Sequence, residues 1–152
     1  MEDQGAVLLV RRNIEPFYGM WDIPGGYLHE WEHPAEGARR EVAEETGLQV
    51  ELTRLLGIFI DRYGDNPQTT FNVYYRGRVL RGTLAPADDA SEAHWFSADA
   101  LPAEIAFPGH IPEVLAVWRA AQAAEPDPDP AGDPALVLHV SADVRRPAVD
   151  PR

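Results

Sequence analysis

The chain has no cysteine and no lysine, and none of its apolar runs approaches the ~20 residues that a bilayer span needs. Without cysteine there is no disulfide framework and no thiolate zinc site, and the composition suits a reducing compartment, so a cytoplasmic location is expected. A short apolar stretch lies within residues 1–12, but no basic leader precedes it, so the stretch does not read as a secretory signal. Basic charge is scarce: 13 arginines face 25 acidic residues, and the formal net charge is -12. That balance argues against stable binding to DNA or to an anionic membrane. An anionic substrate would need local help from arginines, a helix N-terminus or divalent cations held by carboxylates.

The 152 residues, 45% of them hydrophobic, are enough for one well-packed domain and too few for two. Residues 6–10 (AVLLV) read as a strand buried on both faces, ending in Arg11 and Arg12. A loop with Pro16 and Gly19 follows, then a brief extended piece, Trp21-Asp22-Ile23, stopped by Pro24-Gly25-Gly26. The clearest helix is Pro34–Thr46, with proline at its first position, Glu36 in the first turn and Gly47 placed to end it. Its apolar stripe is Ala35, Ala38 and Val42. Strand-like runs follow at residues 48–52, 55–63, 69–80 and 93–96, with turns at residues 64–67 and at Asp88-Asp89, and a second helix is expected at 112–124. This order favours a mixed-sheet α/β or α+β domain.

At Glu125 the composition changes to EPDPDPAGDP, an extended and solvated linker, and the domain boundary is drawn there. Residues 1–124 form the expected domain. Residues 125–152 are read as linker and tail, with disorder favoured over docking even though residues 135–144 have strand-like content.

On the first helix, Glu41, Glu44 and Glu45 lie three and four positions apart and share one side. Like charges so placed need compensation from arginines or cations, and hard oxygen ligands on a rigid element suit Mg²⁺ or Mn²⁺. The glycines of Pro24-Gly25-Gly26, which let a backbone approach a ligand closely, stand just upstream of that helix. Metal, loop amides and a carboxylate able to activate water together suit a diphosphate.

The segment 26–48, GYLHEWEHPAEGARREVAEETGL, resembles the Nudix box, GX5EX7REUXEEXGU with U aliphatic. Gly26, Glu32, Arg40, Glu41, Val42, Glu44, Glu45, Gly47 and Leu48 fill every specified position. A looser likeness extends over about residues 5–120. The resemblance implies an α/β/α sandwich with a mixed sheet and cation-dependent hydrolysis of a nucleoside diphosphate linked to another moiety. ADP-ribose-like compounds, dinucleoside polyphosphates and oxidised dNTPs are all open as substrates. It implies a metal set of Glu41, Glu44 and Glu45, one of them or its water serving as base, with Arg40 orienting the glutamates. Glu32 would brace the loop, the Gly26 carbonyl would add a ligand, and Glu92 is the acid best placed to add another. The resemblance also implies a strand before residues 6–10, and none is read from the residues there. Either the start is truncated, or residues 136–140 fill the gap, or an edge is left to pair with a second copy in a homodimer.

Arg11 and Arg12 either cap their strand or contact phosphate. Phe17, Tyr18, Trp21, Trp31, Tyr63 and Phe107 are candidates to stack on a base, Trp21, Tyr63 and Phe107 foremost. The histidines show no ligand spacing and read as structural or surface residues. The proline that many ADP-ribose hydrolases carry beyond the box is replaced by Tyr63. That tyrosine stands one position short of the window in which diadenosine polyphosphate hydrolases place theirs. The alternative to an enzyme is a non-catalytic nucleotide-sensing module, which has no chemical need for the carboxylate cluster.

Overall fold

A computed structural model describes residues 5–63, 68–124 and 135–143. In chain order the elements are β1 (Ala6–Arg12), β2 (Trp21–Asp22), β3 (Gly25–Tyr27), α1 (Pro34–Thr46), β4 (Leu48–Tyr63), β5 (Gln68–Gly82), β6 (Ala90–Ser97), α2 (Ile111–Ala124) and β7 (Ala135–Asp143). They form two sheets, an antiparallel one in the order β2-β1-β6 and a mixed one in the order β3-β7-β5-β4. The two runs expected at residues 48–52 and 55–63 are one strand, whose pairing with β5 shifts register at three bulges. The turn expected at residues 64–67 lies outside the described residues.

Strands buried on both faces divide the interior into two cores. From β1, Leu8 and Val10 join Ala38 and Val42 of α1, while Val7 and Leu9 join Val114, Leu115 and Trp118 of α2. The period of two in a strand sends alternate side chains to opposite layers, so each helix covers its own face. The result is the expected α/β architecture with helices on both sides of the strands. Among the described residues no helix is long and apolar enough to cross a membrane.

The expectation for the C-terminal segment is corrected for Ala135–Asp143. This strand lies inside the mixed sheet, parallel to β3 and antiparallel to β5, with Leu136, Val137, Leu138 and Val140 fully buried. The reason is chemical: with β7 absent, β3 and β5 would expose unpaired backbone groups, and the ALVLHV run has the apolar content to close the gap. A boundary at residue 125 therefore does not coincide with the edge of the packed unit. The rest of the segment, residues 125–134 and 144–152, lies outside the described residues.

The helix α1 begins and ends as its sequence requires. His33 caps it, its ring Nδ1 accepting from the Ala35 N–H at 3.1 Å, and Pro34 follows at the first position. Gly47 closes it in the left-handed region at φ 76°, its N–H donating to the Ala43 carbonyl at 3.0 Å. The helix leads directly into β4, so its carboxylate side is fixed against the β3 loop.

Candidate active site

A cavity of about 430 Å³ opens between the β3 loop, one side of α1, the loop after β1 and the inner face of the mixed sheet. At one end stand Gly25, Gly26, Glu41 and Glu45. Close approach explains both glycines. A Cβ on Gly26 would lie 2.5 Å from the Glu41 carboxylate, and one on Gly25, whose φ is 155°, would collide with the His139 carbonyl of β7.

Arg40 organises the outer side of this end. Its guanidinium donates to Glu32 at 2.7 and 2.8 Å, to Glu41 at 2.8 Å, to Glu44 at 3.1 Å and to the Tyr27 carbonyl at 3.1 Å. Glu32 in turn accepts from the His29 N–H at 3.0 Å, and its pKa is held down to about 2, first by the Arg40 bond and then by that backbone bond. Arg40 and Glu32 thus tie the loop to the helix.

The two inner glutamates are pushed the other way. Burial raises the Glu41 pKa against the pull of Arg40. Glu45 is only 8% exposed and accepts from the Gly25 N–H at 3.1 Å; burial, then the neighbouring Asp22, pushes its pKa well above the carboxylate range. Asp22 is itself buried on the cavity wall. One of its oxygens pairs with Arg12 at 2.9 Å, and Oδ1 has no hydrogen-bond partner. An orphaned carboxylate oxygen beside two carboxylates with raised pKa values is a site that a hard divalent cation fits. No three such side chains already converge on one point among the described residues, so ligation would need rotamer adjustment.

The remaining expected residues divide. Arg12 and Phe107 line the cavity, the guanidinium standing 5.0 Å from the ring centroid. Arg11, which alternates to the opposite side of β1, pairs with Glu92 at 2.8 Å and lies 6.0 Å from the Trp21 ring centroid. Neither Arg11, Glu92 nor Trp21 is on the cavity wall among the described residues. Glu44 also stands outside it, bonded to Arg40 and exposed. Tyr63 ends β4, and its side chain lies outside the described residues. Trp31 is 97% exposed, while Phe17 packs edge-on against Phe107 with centroids 4.7 Å apart.

The wall that the mixed sheet gives the cavity carries residues not predicted from the sequence. Thr70, Asn72 and Tyr74 of β5, His139 and Ser141 of β7, and His110 at the head of α2 line it, all buried. Of the histidines, read as structural or surface residues, His110 and His139 are buried and line the cavity because β7 and the turn before α2 carry them there. The alternation Thr70-Phe71-Asn72-Val73-Tyr74, polar at every second position of a strand with a buried face, is the sequence signal that marks such a wall.

Burial pushes the pKa of His139 down to about 4, against the pull of Asp22, so the native protein holds it neutral. The unfolded chain then binds this proton more readily. The stability tied to the neutral ring is full above pH 6.5 and is lost as pH falls towards 4, by about 3 kcal/mol. Glu45, whose pKa is raised, contributes with the opposite sign: its share is present at low pH and is lost as pH rises above 4.5. In urea unfolding in metal-free buffer, the stability of wild type relative to His139→Gln should therefore fall between pH 6.5 and 4. An unchanged slope in that variant would refute the assignment.

The likenesses to known proteins agree with this geometry. A relative named ADP-ribose pyrophosphatase, from Methanocaldococcus jannaschii, is 34% identical over 102 residues, 67% of this chain and 60% of the relative. A human diphosphoinositol polyphosphate phosphohydrolase is 32% identical over 98 residues, 64% of this chain and 53% of the relative. This chain thus spans about three-fifths or less of the length of these curated relatives. The crystal structure of a Nudix hydrolase from Nitrosomonas europaea, 23% identical, superposes with a TM-score of 0.65 over 82% of this chain and 75% of that one, which shows the shared fold. The model of the NUDIX domain matches residues 1–116, and with the box of residues 26–48 wrapped around a carboxylate-lined cavity, the chain belongs to the Nudix family.

Proposed function

We propose that the chain is a divalent-cation-dependent pyrophosphohydrolase that cleaves the diphosphate of a nucleoside diphosphate carrying a second, weakly charged moiety, with water attacking phosphorus. The observation that carries the reading is the meeting of the Gly25-Gly26 backbone with Glu41 and Glu45 at one end of a cavity large enough for such a ligand. Glu41, Glu45 and the Gly26 carbonyl would hold Mg²⁺ or Mn²⁺, which neutralises diphosphate charge and makes a bound water acidic. Arg40 keeps Glu41 in place, Glu32 keeps Arg40 in place, and a glutamate of the set serves as the base for the attacking water.

Charge narrows the substrate class. Arg12 is the arginine among the described lining residues, and it is committed to Asp22 and the Pro16 carbonyl. Against it stand Glu15, Asp22, Glu41, Glu45 and Asp89. Cations can balance one diphosphate there, while a ring bearing many further phosphates would meet uncompensated acid. This favours an ADP-ribose-like compound, the class named in the Methanocaldococcus relative, over the diphosphoinositol polyphosphates named in the human one.

A hydrolysis assay with resolved products tests this. ADP-ribose should be cut with Mg²⁺ and not in excess chelator, and a diphosphoinositol polyphosphate should show kcat/KM lower by about a hundredfold, since like-charge juxtaposition costs a few kcal/mol. The reverse preference, or turnover untouched by chelator, would overturn the reading.

A further inference from the structure

The inner face of the mixed sheet changes character along its length. Beneath α2 it is apolar, with Phe59, the Tyr74 ring and Val137 in one core; towards the cavity it becomes Thr70, Asn72, His139 and Ser141, each less than 10% exposed. Buried polar side chains cost stability unless their bonds are made, and an apolar set would pack the same face more cheaply. A run of them bordering a cavity is a wall built to meet a polar ligand.

Two bonded chains order this wall. In one, Ser141 donates to Asn72 Oδ1 at 2.7 Å, and Asn72 Nδ2 donates to Thr70 Oγ1 at 3.0 Å and to the Phe59 carbonyl at 3.0 Å. In the other, Asp61 Oδ1 accepts from the Arg62 N–H at 2.8 Å, Asp61 Oδ2 lies 2.7 Å from His110 Nδ1, and His110 Nε2 lies 2.7 Å from the Tyr74 hydroxyl. Gly109 makes the second chain possible, because a Cβ there would collide with Asp61 Oδ1. With Asp61 Oδ2 accepting from Nδ1–H, Nε2 is the ring's acceptor and takes the Tyr74 O–H. The single phenol proton is then committed to His110. What Tyr74 retains for the cavity is lone pairs.

We propose that Tyr74 is a specificity-determining residue that accepts a hydrogen bond from the uncharged part of the substrate, with its polarity set by Asp61 acting through His110. The proposal rests on the reading above only for which class of molecule enters the cavity. Asp61 and His110 are positioning residues, since they act through Tyr74.

Asp61→Asn tests the relay. The Arg62 N–H still requires an oxygen at the Oδ1 place, so the amide nitrogen faces His110 and donates to Nδ1. The ring proton moves to Nε2, which donates to the Tyr74 oxygen, and the phenol proton turns into the cavity. An acceptor becomes a donor, whereas Tyr74→Phe removes both and keeps the ring beside Phe59. Calorimetric binding of AMP, IMP and ribose 5-phosphate at pH 8 with Mg²⁺ present reads the difference, since none of the three has a diphosphate to cleave and adenine offers an amino donor where hypoxanthine offers a carbonyl acceptor.

If the base supplies the donor, wild type should prefer AMP to IMP by about tenfold, Asp61→Asn should reverse the order, and Tyr74→Phe should abolish the preference. If the ribose supplies it, AMP and IMP should bind alike and all three probes should lose about tenfold in Tyr74→Phe. Equal affinities across the three proteins, or no binding of any probe to wild type, would overturn the proposal. A purely structural polar chain would shift melting without reversing any preference. Because no turnover is read, a failure of the hydrolase reading leaves this result distinguishable.

Discussion

A chain ended at residue 134 should show no cooperative thermal melt and should lose the cavity. The strand that it lacks buries Leu136, Val137, Leu138 and Val140 completely, and each such side chain is worth about 1.5–3 kcal/mol on burial. The sum, about 6–12 kcal/mol, rivals the whole stability of a typical domain. The loss is also one of backbone bonds, since β7 pairs with β5 along its full length and is the partner of β3. Strand β3 carries Gly25 and Gly26, so the glutamate end of the cavity would lose its support along with the His139 and Ser141 wall. Circular dichroism during heating, with nucleotide binding followed in parallel, reads both effects. A sigmoidal melt close to that of the full chain would show that β7 only decorates a fold that stands without it.

Local features were legible in the sequence. Helix α1 follows from Pro34, the stripe of Ala38 and Val42, and Gly47, all of which act within a few turns of one another. The box residues share that helix and its approach loop, so their spacing already implied that Glu41 and Glu45 meet the glycine loop. The less local features were hidden. The apolar run rule applied to AVLLV also describes ALVLHV, but the acidic proline segment between α2 and β7 looked like the end of the fold. Only the pairing of β7 with β3 and β5, which are far away in the chain, shows otherwise.

Register decided the fate of other expectations. Glu92 is paired across β1 and β6 with Arg11, so their opposite charges satisfy one another on the side away from the cavity. Arg12, one residue on, points to the cavity and meets Asp22. The same alternation brings Tyr74 beside His139 and Asn72 beside Ser141. The pairs Arg11–Glu92, Tyr74–His139 and Asn72–Ser141 cannot be seen until two strands, separated by more than sixty residues, are laid side by side.

Glu45→Gln should separate chemistry from stability. The glutamine keeps an oxygen for the Gly25 N–H, and it removes a buried charge that lies next to Asp22 and Glu41. The raised pKa of Glu45 means that its ionised form opposes folding near neutral pH, so the metal-free variant should melt at or above the wild-type temperature. Its loss of stability as pH rises from 4.5 should flatten accordingly. Activity should move the other way. A ligand that fixes a charge-neutralising cation supplies several kcal/mol to the transition state, so turnover should fall by about a thousandfold. The gain in melting temperature that Mg²⁺ gives wild type, which scales with the logarithm of concentration over Kd, should shrink towards zero. Thermal melts with and without Mg²⁺, beside a hydrolysis assay, make the comparison. A stable variant with wild-type turnover, or one still stabilised by Mg²⁺ as strongly as wild type, would remove Glu45 from the metal set and leave Glu41 and Gly26 to be tested in its place.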